Sequence, residues 1–303
     1  PSLKMLDIID THQHLWNLDR LDLPWIDEVP ALNRIFEMSD YVKAAESSGV
    51  SRTVYMEVGV NLDDTQKEIE DMTMHCRADS GVMVGMVVSG DPGAPWFTEF
   101  LETNSSNPFI KGVRQVLHTP EQQPKYCLTP EFIQGIRDLG NRNLLFDLCI
   151  RPAELHDALE LCSRVPETNF ILDHCGNADP YVVNGKRGAF SSNSEETYVH
   201  SKENWQQAIG ELGRLGNVYC KISGIVARAE ESWSADTLAP TVNACLDAFG
   251  EDRVVFGGDW PVCTLGASLD HWIAAVKEIV ATRPAVVQDK LFNLNAERLY
   301  HLG

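Results

Sequence analysis

Two histidines separated by one residue follow the first apolar run of the chain, in the segment DTHQH at residues 10–14. Because alternate residues of a strand point to the same side, His12 and His14 could bind one metal ion. His174 ends a second apolar run (ILDH), and Asp259 ends a third (VVFGGD). Histidines with a carboxylate suit zinc or another divalent ion that keeps a position open for water. Each residue taken alone could be structural, but together they predict a catalytic or metal site.

Four more charged residues lie in or directly after apolar runs: Glu57, Arg114, Asp147 and Lys221. An unpaired charge is costly in a buried strand, so each is either paired inside the sheet or used where the strand ends. Glu57 is a further candidate metal ligand. Arg114, Asp147 and Lys221 are candidate substrate contacts, with an Arg114–Asp147 structural pair as the alternative.

Three tryptophans, Trp16, Trp25 and Trp260, lie close in sequence to the candidate ligands. We expect them to line a substrate pocket, and core packing is the alternative. His118, just past an apolar run, and His200, in a long polar segment, are further candidates for the rim of the site.

Eight short apolar runs recur along the chain and must position these side chains. Continuous apolar strands that alternate with amphipathic helices are typical of a (β/α)8 barrel, in which the carboxyl ends of the strands build the active site. A doubly wound open sheet is the alternative, but no GxGxxG follows the first run. The predicted strands are 6–10, 52–58, 82–88, 110–116, 144–150, 169–174, 218–223 and 253–256.

No linker divides the chain, so we predict a single barrel domain over residues 1–303. One long irregular segment, 176–204, is rich in Gly, Ser and Asn and follows the sixth run. In a barrel this segment lies at the carboxyl ends of the strands, where it is either part of the site or a surface excursion without function.

The charge balance excludes some functions. With 25 Lys and Arg against 44 Asp and Glu, the net charge is −19, which argues against nucleic acid and anionic membranes as partners. We see no signal peptide and no transmembrane run, and the eight cysteines form no CxxC pair. We therefore expect a cytoplasmic protein with reduced thiols and a small-molecule substrate, and a homo-oligomer is left open.

Several motifs in order resemble the amidohydrolase superfamily, and within it the amidohydrolase-2 branch of sugar-lactone hydrolases and metal-dependent hydrolases. They are IIDTHQHLW with LDLPWI, KGVRQVL, FDLCIRP, ILDHCG, VYCKISG, FGGDWPV and NLNAERLY. The resemblance implies that His12, His14 and Asp259 form the metal and water site, with His174 beside them. It further implies that Asp259 is the base for the attacking water, and that Arg114 and Lys221 meet the substrate.

Two residues depart from the pattern of the two-metal members, which carry a lysine on strand four and a histidine on strand five. This chain has Arg114 and Asp147 there. We therefore expect one divalent ion, zinc by preference, or none. The predicted activity is hydrolysis of a sugar-acid lactone, either an aldonolactone or an aldarolactone, in carbohydrate metabolism. The alternative activity is metal-dependent decarboxylation of an aromatic or unsaturated acid. A third hypothesis is that the protein binds a ligand without catalysing a reaction.

Overall fold

Eight parallel strands form the centre of the structure, which is a computed structural model that describes residues 6–188 and 196–303. Each strand pairs with the next along the chain, in the order β1 to β8. The predicted (β/α)8 barrel is confirmed. The strands are β1 (Ile8–Gln13), β2 (Val50–Met56), β3 (Met83–Ser89), β4 (Ile110–Val116), β5 (Leu145–Cys149), β6 (Phe170–Leu172), β7 (Val218–Ile222) and β8 (Val254–Phe256).

Helices follow the strands, and most bury one apolar face against the sheet. None of the described helices is long and apolar enough to cross a membrane. They are α1 (Met38–Ala44), α2 (Thr65–Arg77), α3 (Phe97–Thr103), α4 (Pro130–Asn141), α5 (Leu155–Arg164), α6 (His174–Asn177), α7 (Pro180–Val183), α8 (Lys202–Gly213), α9 (Ala235–Phe249), α10 (Leu269–Val280), α11 (Ala285–Asp289) and α12 (Asn295–Leu299).

The strand boundaries agree with the sequence except near the site. β1 runs on to Gln13, and β6 stops at Leu172, so that His174 begins a tight turn with positive φ angles at residues 174–177 instead of ending a strand. The segment 176–204 is not irregular throughout, because α7 and a 3-10 turn at Glu196–Tyr198 lie within it. Residues 189–195 of that segment lie outside the described residues.

The barrel interior is apolar near the amino-terminal ends of the strands. Residues from six strands fill it and pack against Leu299 and Tyr300, which follow the last strand and close the amino-terminal end. The strand residues of this layer are Ile9, Val54, Met56, Val87, Leu145, Ile171 and Val255.

Two residues further along β5 and β6, the interior becomes polar. Because alternate residues face the same side, the strands that place Leu145, Ile171 and Val255 in the apolar layer also turn the residues two positions later inward. Those residues are Asp147, Asp173 and Gly257, and Lys221 of β7 lies at the same level. The catalytic candidates therefore stand on a buried layer of charge.

The barrel closes between β8 and β1 through hydrogen bonds of the backbone. The amide of Asp259 donates to the His12 carbonyl at 2.8 Å, and the amide of His14 donates to the Trp260 carbonyl at 2.9 Å. The contacts that close the barrel therefore also position three candidate site residues, His12, His14 and Asp259.

Asp10 supports this closure from the outer side. Its Oδ1 accepts from the amides of His12 (2.9 Å) and Gly258 (2.7 Å), and its Oδ2 accepts from the Tyr41 hydroxyl at 2.7 Å. A Cβ on Gly258 would lie 2.4 Å from Asp10 Oδ2, so only glycine lets the end of β8 approach this closely. Burial raises the pKa of Asp10, against the effect of these hydrogen bonds.

We predict that Asp10→Ala lowers the free energy of unfolding by about 3 kcal/mol, because it leaves two buried amides and a hydroxyl without an acceptor. Asp10→Asn keeps an oxygen for the two amides and should lose much less. Urea unfolding of both variants tests this, and equal losses in the two would contradict the role given to Asp10.

Candidate active site

Asp259 lies where the ends of β1 and β8 meet. Its backbone has a positive φ of 58°, a conformation that aspartate tolerates better than most residues. Its Oδ1 lies 3.2 Å from His14 Nε2 and 3.5 Å from His12 Nε2. The structure thus brings together the three residues that the sequence predicts at the metal and water site.

His14 faces Asp259 in a defined orientation. Its Nδ1 lies 2.9 Å from the Met56 carbonyl oxygen, which only accepts, so Nδ1 carries a proton. In the neutral ring the lone pair of Nε2 then points at the Asp259 carboxylate. That contact is favourable only with a proton on Nε2 or with a cation between the two groups.

His12 is wholly buried, and its Nε2 has no hydrogen-bond partner. Burial and the charge of Lys221 hold the pKa of His12 well below its ordinary value, so the ring is neutral. The Lys221 ammonium lies 3.3 Å from His12 Nδ1 and donates to it. In this state the ring proton is on Nε2, facing Asp259.

His174 approaches the same space from β6. Its Nδ1 lies 2.7 Å from Ser223 Oγ, and its ring centroid is 4.7 Å from that of His12. A Cβ on Gly224 would lie 2.4 Å from the His174 ring, so this glycine makes room for it. Burial is the main cause that lowers the pKa of His174 to about 4, so the imidazole is neutral.

Asp173 is a site residue that the sequence analysis missed. In a strand, Asp173 and His174 would point to opposite faces. β6 ends at Leu172, however, and His174 has a positive φ of 56°. Both side chains therefore turn into the barrel. The only signal in the sequence was a second charged residue beside His174.

A network of charges lies beneath these groups. The Lys221 ammonium is 3.0 Å from Asp147, 3.6 Å from Asp173 and 3.1 Å from the Thr11 carbonyl oxygen. Burial alone would lower the pKa of Lys221, but the carboxylates, Asp147 above all, hold it above the ordinary value. Burial and the neighbouring Asp147 raise the pKa of Asp173 to about 7. A proton shared by the two carboxyl groups accounts for their otherwise unpaired oxygens.

Arg114 forms the second cationic centre. Its Nε donates to Glu57 Oε1 at 2.8 Å, its Nη2 to the Glu57 carbonyl at 3.0 Å, and its Nη1 to Asp173 Oδ2 at 3.3 Å. Each terminal nitrogen keeps a second N–H. Glu57 Oε2 accepts from the Gly59 amide, so both oxygens of Glu57 are occupied.

One expectation from the sequence, the Arg114–Asp147 pair, is corrected by these contacts, and two others stay predictions. Lys221 and Asp147 are wholly buried and paired with each other, and their contact with a substrate stays a prediction. Arg114 pairs with Glu57 and Asp173 instead of Asp147. Glu57 is engaged by Arg114 and joins neither cluster of potential metal ligands among the described residues.

The three tryptophans lie together beside the end of β1. Trp16 packs edge-on against Trp25 and Phe36, and Phe36 packs edge-on against Trp260. The indole N–H groups of Trp16 and Trp25 donate to backbone carbonyls. Trp16 and Trp260 are buried, and Trp25 is half-buried. A role of these rings in lining the pocket stays a prediction.

The histidines and carboxylates form two groups that could hold an ion, His12–His14–Asp259 and His12–Asp173–His174. Because they share His12, they describe one site. The unpartnered Nε2 of His12 and the lone pair of His14 aimed at a carboxylate fit a divalent ion in donor type. Lys221 opposes the binding of an ion. An ion on His12 Nε2 requires the ring proton to be on Nδ1, where it would face the Lys221 ammonium. The first group therefore fits one ion, and Lys221 weakens its binding.

Asp259 is set up as a carboxylate. Burial would raise its pKa, but His174, the hydrogen-bonded His14 and Arg114 outweigh burial, and the pKa of Asp259 is lowered. At neutral pH it is therefore ionised and can accept a proton.

The chain is similar to known proteins along nearly its whole length. A family model described as amidohydrolase matches residues 9–302. The L-fucono-1,5-lactonase of Burkholderia multivorans is 28% identical over 97% of this chain and 96% of its own. The L-rhamnono-gamma-lactonase of Scheffersomyces stipitis is 22% identical over 97% of this chain and 98% of its own.

A solved structure shares the fold. It is that of an amidohydrolase from Burkholderia multivorans with bound zinc, which superposes with a TM-score of 0.82 at 24% identity and covers 98% of this chain and 100% of that one.

We predict that Lys221→Met lowers the free energy of unfolding by about 3–5 kcal/mol, since it leaves buried carboxylates without their cation. Adding Asp147→Asn should recover part of the loss. The control is Arg164→Met, which breaks an exposed ion pair with Glu160 on α5 and should leave unfolding in urea unchanged. A Lys221→Met variant as stable as the control would show that the network is not needed.

We predict that the protein retains one equivalent of zinc after loading and dialysis, measured by atomic emission, because both ligand groups share His12. The double variant His12→Ala/His14→Ala should lose it. His75→Ala, which changes a half-buried histidine of α2, should keep it. Two equivalents, or retention by the double variant, would contradict the single site.

Proposed function

The chain belongs to the amidohydrolase family, and on that premise we propose that this hydrolase opens the ring of a sugar lactone. The observation that carries the proposal is the Asp259 carboxylate, kept ionised and facing His12 and His14 where β1 and β8 meet. Water must be activated before it attacks an ester carbonyl, and a base beside a cation-binding group can activate it. The two relatives named as sugar lactonases support the choice of substrate class.

Asp259 is the proposed base and, later, the acid. Its carboxylate takes a proton from water, and the water oxygen forms a bond to the lactone carbonyl carbon. The tetrahedral intermediate then collapses with cleavage of the bond from that carbon to the ring oxygen. Asp259 returns the proton to the departing alkoxide, which leaves a hydroxy acid.

Neighbouring groups stabilise the negative oxygen of the intermediate. Arg114 keeps an unused N–H on each terminal nitrogen and is fixed by Glu57 and Asp173. His174 is neutral and held by Ser223, so it can orient the carbonyl without adding charge. Donors that are fixed before the reaction stabilise such an oxyanion better than water does.

A divalent ion, where bound, would be held by His12, His14 and Asp259, and would polarise the carbonyl oxygen of the substrate. Zinc suits the two imidazoles and the carboxylate. The proton transfers described above are performed by Asp259 in either case.

We predict that Asp259→Asn lowers kcat for lactone hydrolysis by about 10²–10⁴-fold, because the amide cannot accept the water proton. Hydrolysis is followed with a pH indicator on a panel of aldonolactones and aldarolactones. The control Asp71→Asn, at a surface ion pair with Arg20, should keep full activity.

Two outcomes would overturn the proposal. One is an Asp259→Asn variant, folded by circular dichroism, that hydrolyses lactones at the wild-type rate. The other is release of carbon dioxide from an aromatic or unsaturated acid, without any lactone being opened, which would favour the decarboxylase alternative.

A further inference from the structure

Arg228 is a half-buried cation beside the carboxyl ends of the strands. It ends the 3-10 helix Ile225–Arg228, which directly follows β7 on the side of the barrel where the strands end. Its Nη2 donates to the Ala178 carbonyl at 3.0 Å, while its Nε is buried and has no hydrogen-bond partner among the residues that the structure describes. Within residues 6–188 and 196–303, no carboxylate forms an ion pair with it. A half-buried guanidinium normally has such a partner.

Two nearby arginines show the usual arrangement. Arg187 donates to Asp179 at 2.8 Å and to Glu230 at 2.7 Å. Arg151 pairs with Glu154 and also donates to two backbone carbonyls. Arg253 is also half-buried and has no ion pair among the described residues, but it donates to three backbone carbonyls. Arg228 has only one such acceptor, although acidic side chains are abundant in a chain with a net charge of −19.

The guanidinium lies on the rim of the candidate active site. Its central carbon is 4.1 Å from the centroid of the Tyr198 ring, and that ring is 5.7 Å from the ring of His118. His118 follows β4, the strand of Arg114, and Ala178 follows the helix that begins with His174. His118, Tyr198 and Arg228 therefore form a cluster, here called the rim cluster, that joins the ends of β4, β6 and β7.

The rim cluster also interacts electrostatically with the candidate active site. The charges of Arg114 and Arg228 both contribute to lowering the pKa of His174 to about 4, after burial as the main cause. The same two charges add to burial in lowering the pKa of His118 to about 4. His118 is thus a neutral donor, and Arg228 supplies the one positive charge of the cluster.

We propose that Arg228 and His118 bind a carboxylate of the substrate that is separate from the lactone carbonyl, so that the preferred substrate is the lactone of a sugar diacid. The N–H groups of Nη1 and the second N–H of Nη2 form a fork that matches a carboxylate. One positive charge balances a carboxylate and would leave a phosphate, with a charge of about −1.5 to −2, partly unpaired. The inference rests on the proposed function and narrows its substrate to aldarolactones.

The test compares two lactones with the same ring and stereochemistry that differ only at the terminal carbon, an alcohol in the aldonolactone and a carboxylate in the aldarolactone. We expect wild-type kcat/KM to favour the aldarolactone by at least tenfold. Arg228→Gln should lower that ratio at least tenfold, mainly through KM for the aldarolactone. Arg187→Gln is the matched control, because Arg187 also lies over a tyrosine ring but has carboxylate partners; it should keep the wild-type ratio.

A binding measurement separates failure of this inference from failure of the proposed function. Calorimetry with the open-chain acids should show that the wild type binds the aldarate at least tenfold more tightly than the aldonate, and that Arg228→Gln loses this preference. If no lactone is hydrolysed, the proposed function fails, while this preference would still support the carboxylate site.

Several results would overturn the inference. The first is equal affinity of the wild type for aldarate and aldonate. The second is a ratio of kcat/KM, aldarolactone over aldonolactone, that is unchanged in Arg228→Gln. The third is a higher wild-type kcat/KM for an aldonolactone phosphorylated at the terminal carbon than for the aldarolactone. The first and third use only the wild-type protein, so they hold even if Arg228→Gln does not fold.

Discussion

The ammonium group of Lys221 is the interaction on which the rest of the site depends. It stands on β7, wholly buried, and contacts Asp147 of β5, Asp173 beyond β6 and the carbonyl of Thr11 in β1. A buried cation requires carboxylates and buried carboxylates require a cation, so none of these groups can be withdrawn alone. One side chain thereby ties together strands from both sides of the barrel and forms the base under the site.

The groups above Lys221 take their positions from it and from the closure of the barrel. Lys221 fixes Nδ1 of His12 and turns Nε2 toward Asp259. A Cβ on Gly257 would lie 2.7 Å from the Cβ of His12 and 3.1 Å from the Lys221 side chain, so glycine is needed where β8 passes them. The conformation of β8 beyond this glycine places the Asp259 carboxylate against both histidines. Strand closure and catalytic geometry therefore have the same physical basis.

The charge of the whole chain does not describe its site. The net charge of −19 resides largely on solvated acidic side chains, whereas the barrel interior and rim hold Lys221, Arg114 and Arg228. The first two are neutralised by carboxylates of the protein. Arg228 has no carboxylate partner within residues 6–188 and 196–303, and only the partners of each cation separate a structural role from a role in binding a ligand. This contrast links the packing of the barrel to the acidic substrate that we infer.

The sequence by itself determined the number and order of the strands, because strands of a parallel sheet are covered on both faces and read as apolar runs. It also located His12, His14, His174 and Asp259, since these polar residues interrupt or follow such runs. Periodicity tells which side of a strand a residue faces, but neither its height in the barrel nor its partner. Only the tertiary structure decided that Lys221 is buried against Asp147 and Asp173, that Arg114 pairs with Glu57 and that His174 turns inward beside Asp173. These outcomes depend on the stagger between strands and on the backbone of His174.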